Sequence, residues 1–259
     1  MIIYFSFIFF VFGAIFGSFL NALEFRIKRN LDWKTQRSFC PKCLAKIKFY
    51  DNIPLFSFLF LKGKCRNCRQ KISWQYPLVE LITAVLFVFV FNFFYSENID
   101  LYLWIKIIIN CVIVWTMIFV FIYDFKYLEI SDLITLGSAI LLFVFYYIFD
   151  FRSWSSMFLS IFIGISFFGI QFLLSKGKWI GGGDIRIAIF MGVLFDWQKL
   201  LLALWLAYIL GAIISIFLLV KKGKKMNSEV PLGCFLMPAS FVTLFWGDKL
   251  ISFYLKIIT

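Results

Sequence analysis

The chain has 259 residues, 63% of them hydrophobic and 15% charged, with a mean hydropathy of +0.92 and a formal net charge of +12. No soluble domain buries that much apolar surface, so the composition excludes a water-soluble globular protein and predicts a polytopic membrane protein. Histidine is absent, which excludes Ser/His/Asp catalysis, Cys/His dyads and histidine-held metals and leaves the chemistry to Asp, Glu, Cys, Lys, Ser or Tyr.

Residues 2–23 are apolar enough to cross a bilayer of about 30 Å. They lack a basic start and a small-residue cleavage site, so they read as a retained span and not a removed signal. Residues 24–76 hold 13 of the 26 Lys+Arg against three acids. The excess of bases places this segment in the cytoplasm and the N-terminus outside. Residues 77–95 form a second span, and residues 96–100, with two acids and no base, suit an outer loop. The third span covers 101–123, with Lys106 near its outer end, and 124–132 returns to the cytoplasm. Spans at 133–149 and 154–174 follow. Residues 185–195 are short for a span unless the preceding glycines lie at membrane depth. Residues 200–220 lead to the basic run at 221–225, and 234–255 form the last span. About eight helices put every basic cluster on one side. The expected fold is therefore an all-α polytopic membrane protein with a small cytoplasmic insertion between its first two spans. Its parts are residues 1–23, 24–76 and 77–259.

In the insertion, Cys40-Pro41-Lys42-Cys43 precedes Cys65-Arg66-Asn67-Cys68 by 21 residues. Two such knuckles can set four thiolates tetrahedrally around a structural zinc at about 2.3 Å, a zinc-ribbon-like site. Basic neighbours favour the thiolates, and a reducing cytoplasm argues against a disulfide clip or two redox pairs. Cys111 and Cys234 lie in apolar runs and read as buried thiols. The bases of the insertion also face a membrane surface, so membrane lipid is the expected partner and nucleic acid is not inferred.

Gly181-Gly182-Gly183-Asp184 is poor helix interior, since each glycine costs about 1 kcal/mol relative to alanine. It suits a chain break or a close backbone approach. A carboxyl at the lip of a membrane is a functional candidate by default, the alternative being an incidental acid in a polar loop. Asp124 ends the third span on the same side, so Asp124 and Asp184 fall at one depth. Two carboxyls brought together do not both ionise easily. One can then act as base on a water while the other donates to a carbonyl, which is peptide hydrolysis by an aspartyl dyad. The alternative for Asp124 is a solvated helix end. Asp132 reads as the N-cap of the fourth span, with Ser131 able to share the role. Glu80 either faces a polar cavity or sits at the interface, and Glu24 and Arg26 are placed to pair locally.

These pieces resemble the type IV prepilin leader peptidases, membrane aspartic proteases with a GxGD motif that serve type IV pili and type II secretion. Gly17-Ser18-Phe19-Leu20-Asn21 with Arg26 resembles the family's opening motif, and the paired Cys-x-x-Cys knuckles follow it. Ile72-Ser73-Trp74-Gln75-Tyr76-Pro77-Leu78-Val79-Glu80-Leu81 resembles its next stretch. Residues 124–132 and 181–184 resemble its two aspartate motifs, and Pro231-Leu232-Gly233-Cys234-Phe235-Leu236 a late element. The resemblance covers essentially the whole chain in order. It implies that Asp124 and Asp184 are the catalytic pair, supported by Gly181, Gly183, Arg186 and Glu80. It implies removal of the basic leader of prepilins or pseudopilins at the cytoplasmic face of the bacterial inner membrane. It also implies N-methylation of the new N-terminus with S-adenosylmethionine, because the cysteine-bearing lobe accompanies bifunctional members. Three positions depart from the family pattern: Arg186 stands for Lys, Gln75 for Arg, and Glu129-Ile130-Ser131 for a step to proline. No glycine-rich turn after a strand marks a donor site. Readings of other classes are a peptidase without methylation, a non-enzymatic scaffold carrying a zinc ribbon, and a proton-coupled transporter, which would want acids near mid-span.

Overall fold

A computed structural model describes residues 2–32, 38–96, 100–222 and 231–258, the side chains of 218, 219, 221, 222 and 258 excepted. Part of the predicted outer loop at 96–100 and most of the basic run at 221–225 lie outside the described residues. The expected all-helical architecture is borne out: eight long helices, and among the described residues only isolated β-bridges and no strand. They are α1 (Ile2–Lys28), α3 (Gln75–Phe94), α4 (Leu101–Tyr127), α5 (Asp132–Ile148), α6 (Trp154–Ser175), α7 (Gly182–Leu194), α8 (Trp197–Lys222) and α9 (Gly233–Ile258). A short helix, α2 (Phe56–Phe60), and a 3-10 turn, Phe49–Asn52, lie between α1 and α3. Six of these helices are long and apolar enough to cross a membrane, and α5 is a shorter apolar one. The chain forms two compact units, residues 1–115 and 116–259.

In the first unit α1 packs along α3, where Gly13 and Gly17 come close to the α3 backbone at Ala84 and Glu80. Small residues let membrane helices approach in this way without a hydrophobic driving force. Rings of Phe9, Phe91 and Trp104 stack beside this seam. Pro77 sits in the first turn of α3, where its missing N–H is not needed.

The second unit is built on α7. Ile187, Ala188, Phe190, Met191, Val193 and Leu194 are all buried, as in a helix that is apolar all round and serves as core. α6 and α5 pack on it closely, with α8 and α9 touching it as well. With 13 residues it is about 20 Å long at 1.5 Å per residue, well short of a hydrocarbon thickness of about 30 Å. Its C-terminal end is held by Arg152, which donates to the carbonyls of Gly192 and Val193 and to Asp196 Oδ1 at 2.7 Å. Burial alone would raise the Asp196 carboxyl, but the Ser156 hydroxyl and this guanidinium outweigh it and hold it below the usual carboxylate range.

Candidate functional site

Two sites emerge, one in each unit. In the second unit the chain brings together the ends of α4, α7 and α9. Asp124 lies in the last turn of α4 and is 6% exposed. Its Oδ2 is buried and makes no well-aligned hydrogen bond among the described residues, while the Gly233 and Cys234 N–H groups at the start of α9 face the carboxyl. After α4, Leu128 takes a left-handed φ of 53° and returns its N–H to the Asp124 carbonyl at 2.9 Å. The chain then runs back across α7. A Cβ on Gly183 would lie 2.6 Å from Ile130 Cγ1, so the segment after Asp124 rests directly on the glycine before Asp184.

Asp184 is half-buried in the first turn of α7. Its Oδ2 accepts the Gly181 N–H at 3.1 Å. This is the carboxylate half of a capping box, and glycine supplies no side chain for the other half. The positive end of the α7 dipole favours a carboxylate there. α9 closes the site: a Cβ on Gly233 would lie 2.7 Å from Asp124 Oδ2 and 3.0 Å from Ile187 Cδ1. Asp124 and the residue one turn below Asp184 thus reach the same point. The Asp124 charge acts on the Asp184 carboxyl. Two carboxyls within electrostatic reach of each other do not both ionise easily.

Asp132 is not the N-cap expected from the sequence. Ser131 holds that position without a side-chain cap bond, and Asp132 is the first residue of α5. Its carboxylate accepts Arg186 Nε at 2.8 Å. The sequence missed this tie, and also Gly233 as a wall of the site. It missed the Tyr208 hydroxyl too, which donates to Gln171 Oε1 at 2.9 Å and lies within electrostatic reach of Asp184.

The first unit carries the cysteine lobe and Glu80. The sulfurs of Cys40, Cys43, Cys65 and Cys68 all lie within 4.8 Å of one another, and Cys40 and Cys68 are 3.9 Å apart. Tetrahedral zinc with bonds of about 2.3 Å needs sulfurs about 3.8 Å apart, so the donor set fits that metal. The two knuckles are built alike. Cys40 and Cys65 accept from Leu44 and Arg69, and they donate to Ala45 and Gln70, each bond 2.9 Å. Leu44 and Arg69 both take left-handed φ. Backbone N–H groups of Cys68 and Asn67 pull the Cys65 thiol down to about 7. At Cys68 the Gln70 N–H is outweighed by burial and the neighbouring sulfurs, which push that thiol up to about 11, so the sulfurs do not all ionise together without a cation between them. Arg66 grips Asp51 through two nitrogens, at 2.8 and 2.6 Å, and holds its carboxyl below the usual range. Glu80, buried in α3, accepts the Leu55 N–H at 2.7 Å. It therefore ties the lobe to a span, and its surroundings are those of the lobe's stem. Nearby, Gln75 donates to Asn21 and to the buried Glu24 at 3.3 and 3.4 Å.

Comparison with known proteins agrees with this division. Residues 11–94 match the profile of the Bacterial Peptidase A24 N-terminal domain. Residues 111–216 match that of the Type IV leader peptidase family. The chain is 27% identical to a protein of Legionella pneumophila named prepilin leader peptidase/N-methyltransferase, over 95% of this chain and 92% of that one. It is 29% identical to one of the same name from Bacillus subtilis, over 96% and 97%, and 28% identical to one from Pseudomonas aeruginosa, over 94% and 91%. No solved structure matches. With both profiles in order along the chain, and full-length relatives of one name, the chain belongs to the type IV leader peptidase family.

Proposed function

We propose that the protein is a membrane aspartic endopeptidase that removes the basic leader of type IV prepilins or pseudopilins and then methylates the new N-terminus. Asp124 and Asp184 are the catalytic pair. The observation that carries this is the buried Oδ2 of Asp124 at the point where the first turns of α7 and α9 meet the end of α4. In the reaction, the ionised carboxyl takes a proton from water as the oxygen attacks the scissile carbonyl. The protonated carboxyl donates to the carbonyl oxygen. Collapse of the tetrahedral adduct breaks the C–N bond, with a proton delivered to the leaving amine.

The shortness of α7 supports a substrate that enters from the bilayer. α7 is about 10 Å too short to cross, and with Asp184 in its first turn and Asp124 in the last turn of α4 the dyad would lie near the membrane lip, on the side that the basic segments mark as cytoplasmic. A prepilin offers a charged leader joined to an apolar stem, and its junction would meet the dyad at that depth. The cellular site is then the bacterial inner membrane.

Methyl transfer would belong to the first unit. S-adenosylmethionine would supply the methyl group as a second substrate. The polar side chains suited to an amine or a sulfonium are Asn21, Glu24 and Gln75 at the stem of the lobe. Zinc would be held by Cys40, Cys43, Cys65 and Cys68 as a structural ion.

The test is mass spectrometry of a prepilin from the same cell, incubated with the protein in lipid, with and without S-adenosylmethionine. Leader loss with a methyl increment only when the donor is present is the expected result. Leader loss without the increment would leave a peptidase alone, and no leader loss from a folded protein would overturn the reading.

Two expected results sharpen the site. Gly233→Ala places a methyl group 2.7 Å from Asp124 Oδ2, and the carboxyl must move. A displacement of about 1 Å lowers a reaction of this kind about 100-fold. The drop should appear in kcat for leader removal, with unchanged yield and elution of the purified protein. Asp132→Asn breaks only a half-exposed ion pair with Arg186. Such pairs are worth about 0–1 kcal/mol, so cleavage should stay within about threefold of the parent chain. A loss approaching that of a dyad variant would move Asp132 into the catalytic machinery.

A further inference from the structure

The lobe exposes a row of large apolar side chains that no span accounts for. Phe49 is 87% exposed, Leu59 70% and Phe60 83%, and Ile53 and Phe56 beside them are exposed as well. Five such side chains within twelve residues form a patch that a soluble surface does not carry without a partner. The segment is held rigidly in this display. Ser57 is buried and donates to the Tyr50 carbonyl at 3.0 Å. Arg66 grips Asp51 in the 3-10 turn Phe49–Asn52. Leu55 takes a φ of 62°, unfavourable for a bulky residue, and its N–H is fixed by Glu80 Oε2 at 2.7 Å.

That last bond sets the depth of the patch. Glu80 is five residues beyond Gln75, the first residue of the spanning helix α3, which is about 8 Å along its axis. A carboxylate reaches only a few ångströms from its helix, so Leu55 and the α2 turn that follows lie level with the first turns of a membrane span. This is the headgroup and upper acyl region. The exposed charge on the lobe is mainly basic: Lys46, Lys48, Lys62, Lys64 and Lys71 are all exposed, and the acid inside the segment, Asp51, is paired with Arg66. Apolar side chains at interfacial depth on a lysine-rich lobe match a bilayer rich in acidic lipid and oppose a basic peptide.

We infer that Phe49, Ile53, Phe56, Leu59 and Phe60 form a foot that inserts into the cytoplasmic leaflet, with the lobe's lysines engaging anionic phospholipid headgroups. The foot fixes the metal-bearing lobe against the membrane and neutralises the bases that would otherwise repel a basic substrate segment.

The inference is tested by photocrosslinking of the full chain in nanodiscs of phosphatidylcholine, with or without phosphatidylglycerol. p-Benzoylphenylalanine replaces Phe60 or Phe49 in turn. Phe162, exposed in the span α6, is the lipid-facing control, and Asn67, exposed on the second knuckle, is the water-facing one. Phospholipid adducts at positions 60 and 49 should approach those at 162 and exceed those at 67 by about tenfold. At position 60, phosphatidylglycerol should be over-represented severalfold relative to its share of the bilayer, and Lys62→Gln with Lys64→Gln should remove that preference. Adduct yields at 60 and 49 no higher than at 67 would overturn the inference. So would adducts to a second copy of the chain in place of lipid, which would assign the patch to a protein partner. Zinc content of each variant verifies that the lobe is folded, and none of these readouts depends on peptidase activity.

Discussion

Asp184→Asn should abolish leader removal while leaving the protein folded and inserted in the membrane. The asparagine oxygen can still accept the Gly181 N–H that Asp184 now accepts at 3.1 Å, so the start of α7 survives. What disappears is an ionisable group that can hold or release a proton. General acid or base catalysis contributes about 10²–10⁴-fold, and in a dyad both roles fail together, so a loss of at least about 10³-fold is expected. Asp124→Asn should match it. The double variant should be no worse than either single one, because residues that act as a unit are strongly non-additive. Asp184→Ala should be equally inactive but should also lose the cap, at about 1 kcal/mol of stability. The measurement is the rate of leader loss by mass spectrometry, beside thermal unfolding in the same lipid. Retained cleavage in either asparagine variant would remove that residue from the dyad and favour a scaffold role for the chain.

Much of this site was legible because its residues are chemically conspicuous. A carboxyl in an apolar chain and a run of glycines stand out against 63% hydrophobic residues. Four cysteines in two knuckles stand out for the same reason, and the spans follow from hydropathy. Other features depend on contacts between distant segments, which no periodicity encodes. Gly233 is 109 residues from Asp124, and only its packing reveals that it walls the carboxyl. Asp132 satisfies every local rule for a cap, yet Arg186 from another helix takes its carboxylate, and tertiary pairing wins over local propensity. Gln75 stood out as a departure from the family pattern. In the structure it donates to Glu24 and Asn21, so a neutral amide fills a place beside a buried carboxylate where arginine would form an ion pair. α7 looked short for a span in the sequence, and its 13 residues are short in the structure. Its role as the core of the second unit became visible only once α5 and α6 were seen against it.

Purified protein should carry about one zinc per chain, and Cys40→Ser with Cys65→Ser should lose it and unfold the lobe. The reason is the scarcity of other stabilising contacts there. Between residues 38 and 74 the only buried residues are Cys40 and Ser57, and strand-like pairing amounts to two isolated bridges beside tight turns and one five-residue helix. A segment of that size cannot hold itself with so little apolar core. Structural zinc in small domains supplies about 10–16 kcal/mol of apparent binding energy, and this energy appears as folding energy. The four sulfurs lie within 4.8 Å of one another, so a zinc bound there would tie the two knuckles together and couple its binding to the folding of the lobe. Elemental analysis gives the metal count, and limited proteolysis reads the lobe, whose exposed Lys and Arg become cleavage sites when it opens. Trypsin should cut the serine variant in the lobe at least about tenfold faster, since loss of even 1.4 kcal/mol raises the open population that much. Methyl transfer should fall further than leader removal, because Glu24 and Gln75 stand at the lobe's stem while Asp124 and Asp184 belong to the second unit. A freshly purified chain that is metal-free yet resists trypsin in the lobe would show that the cysteines hold the fold without an ion.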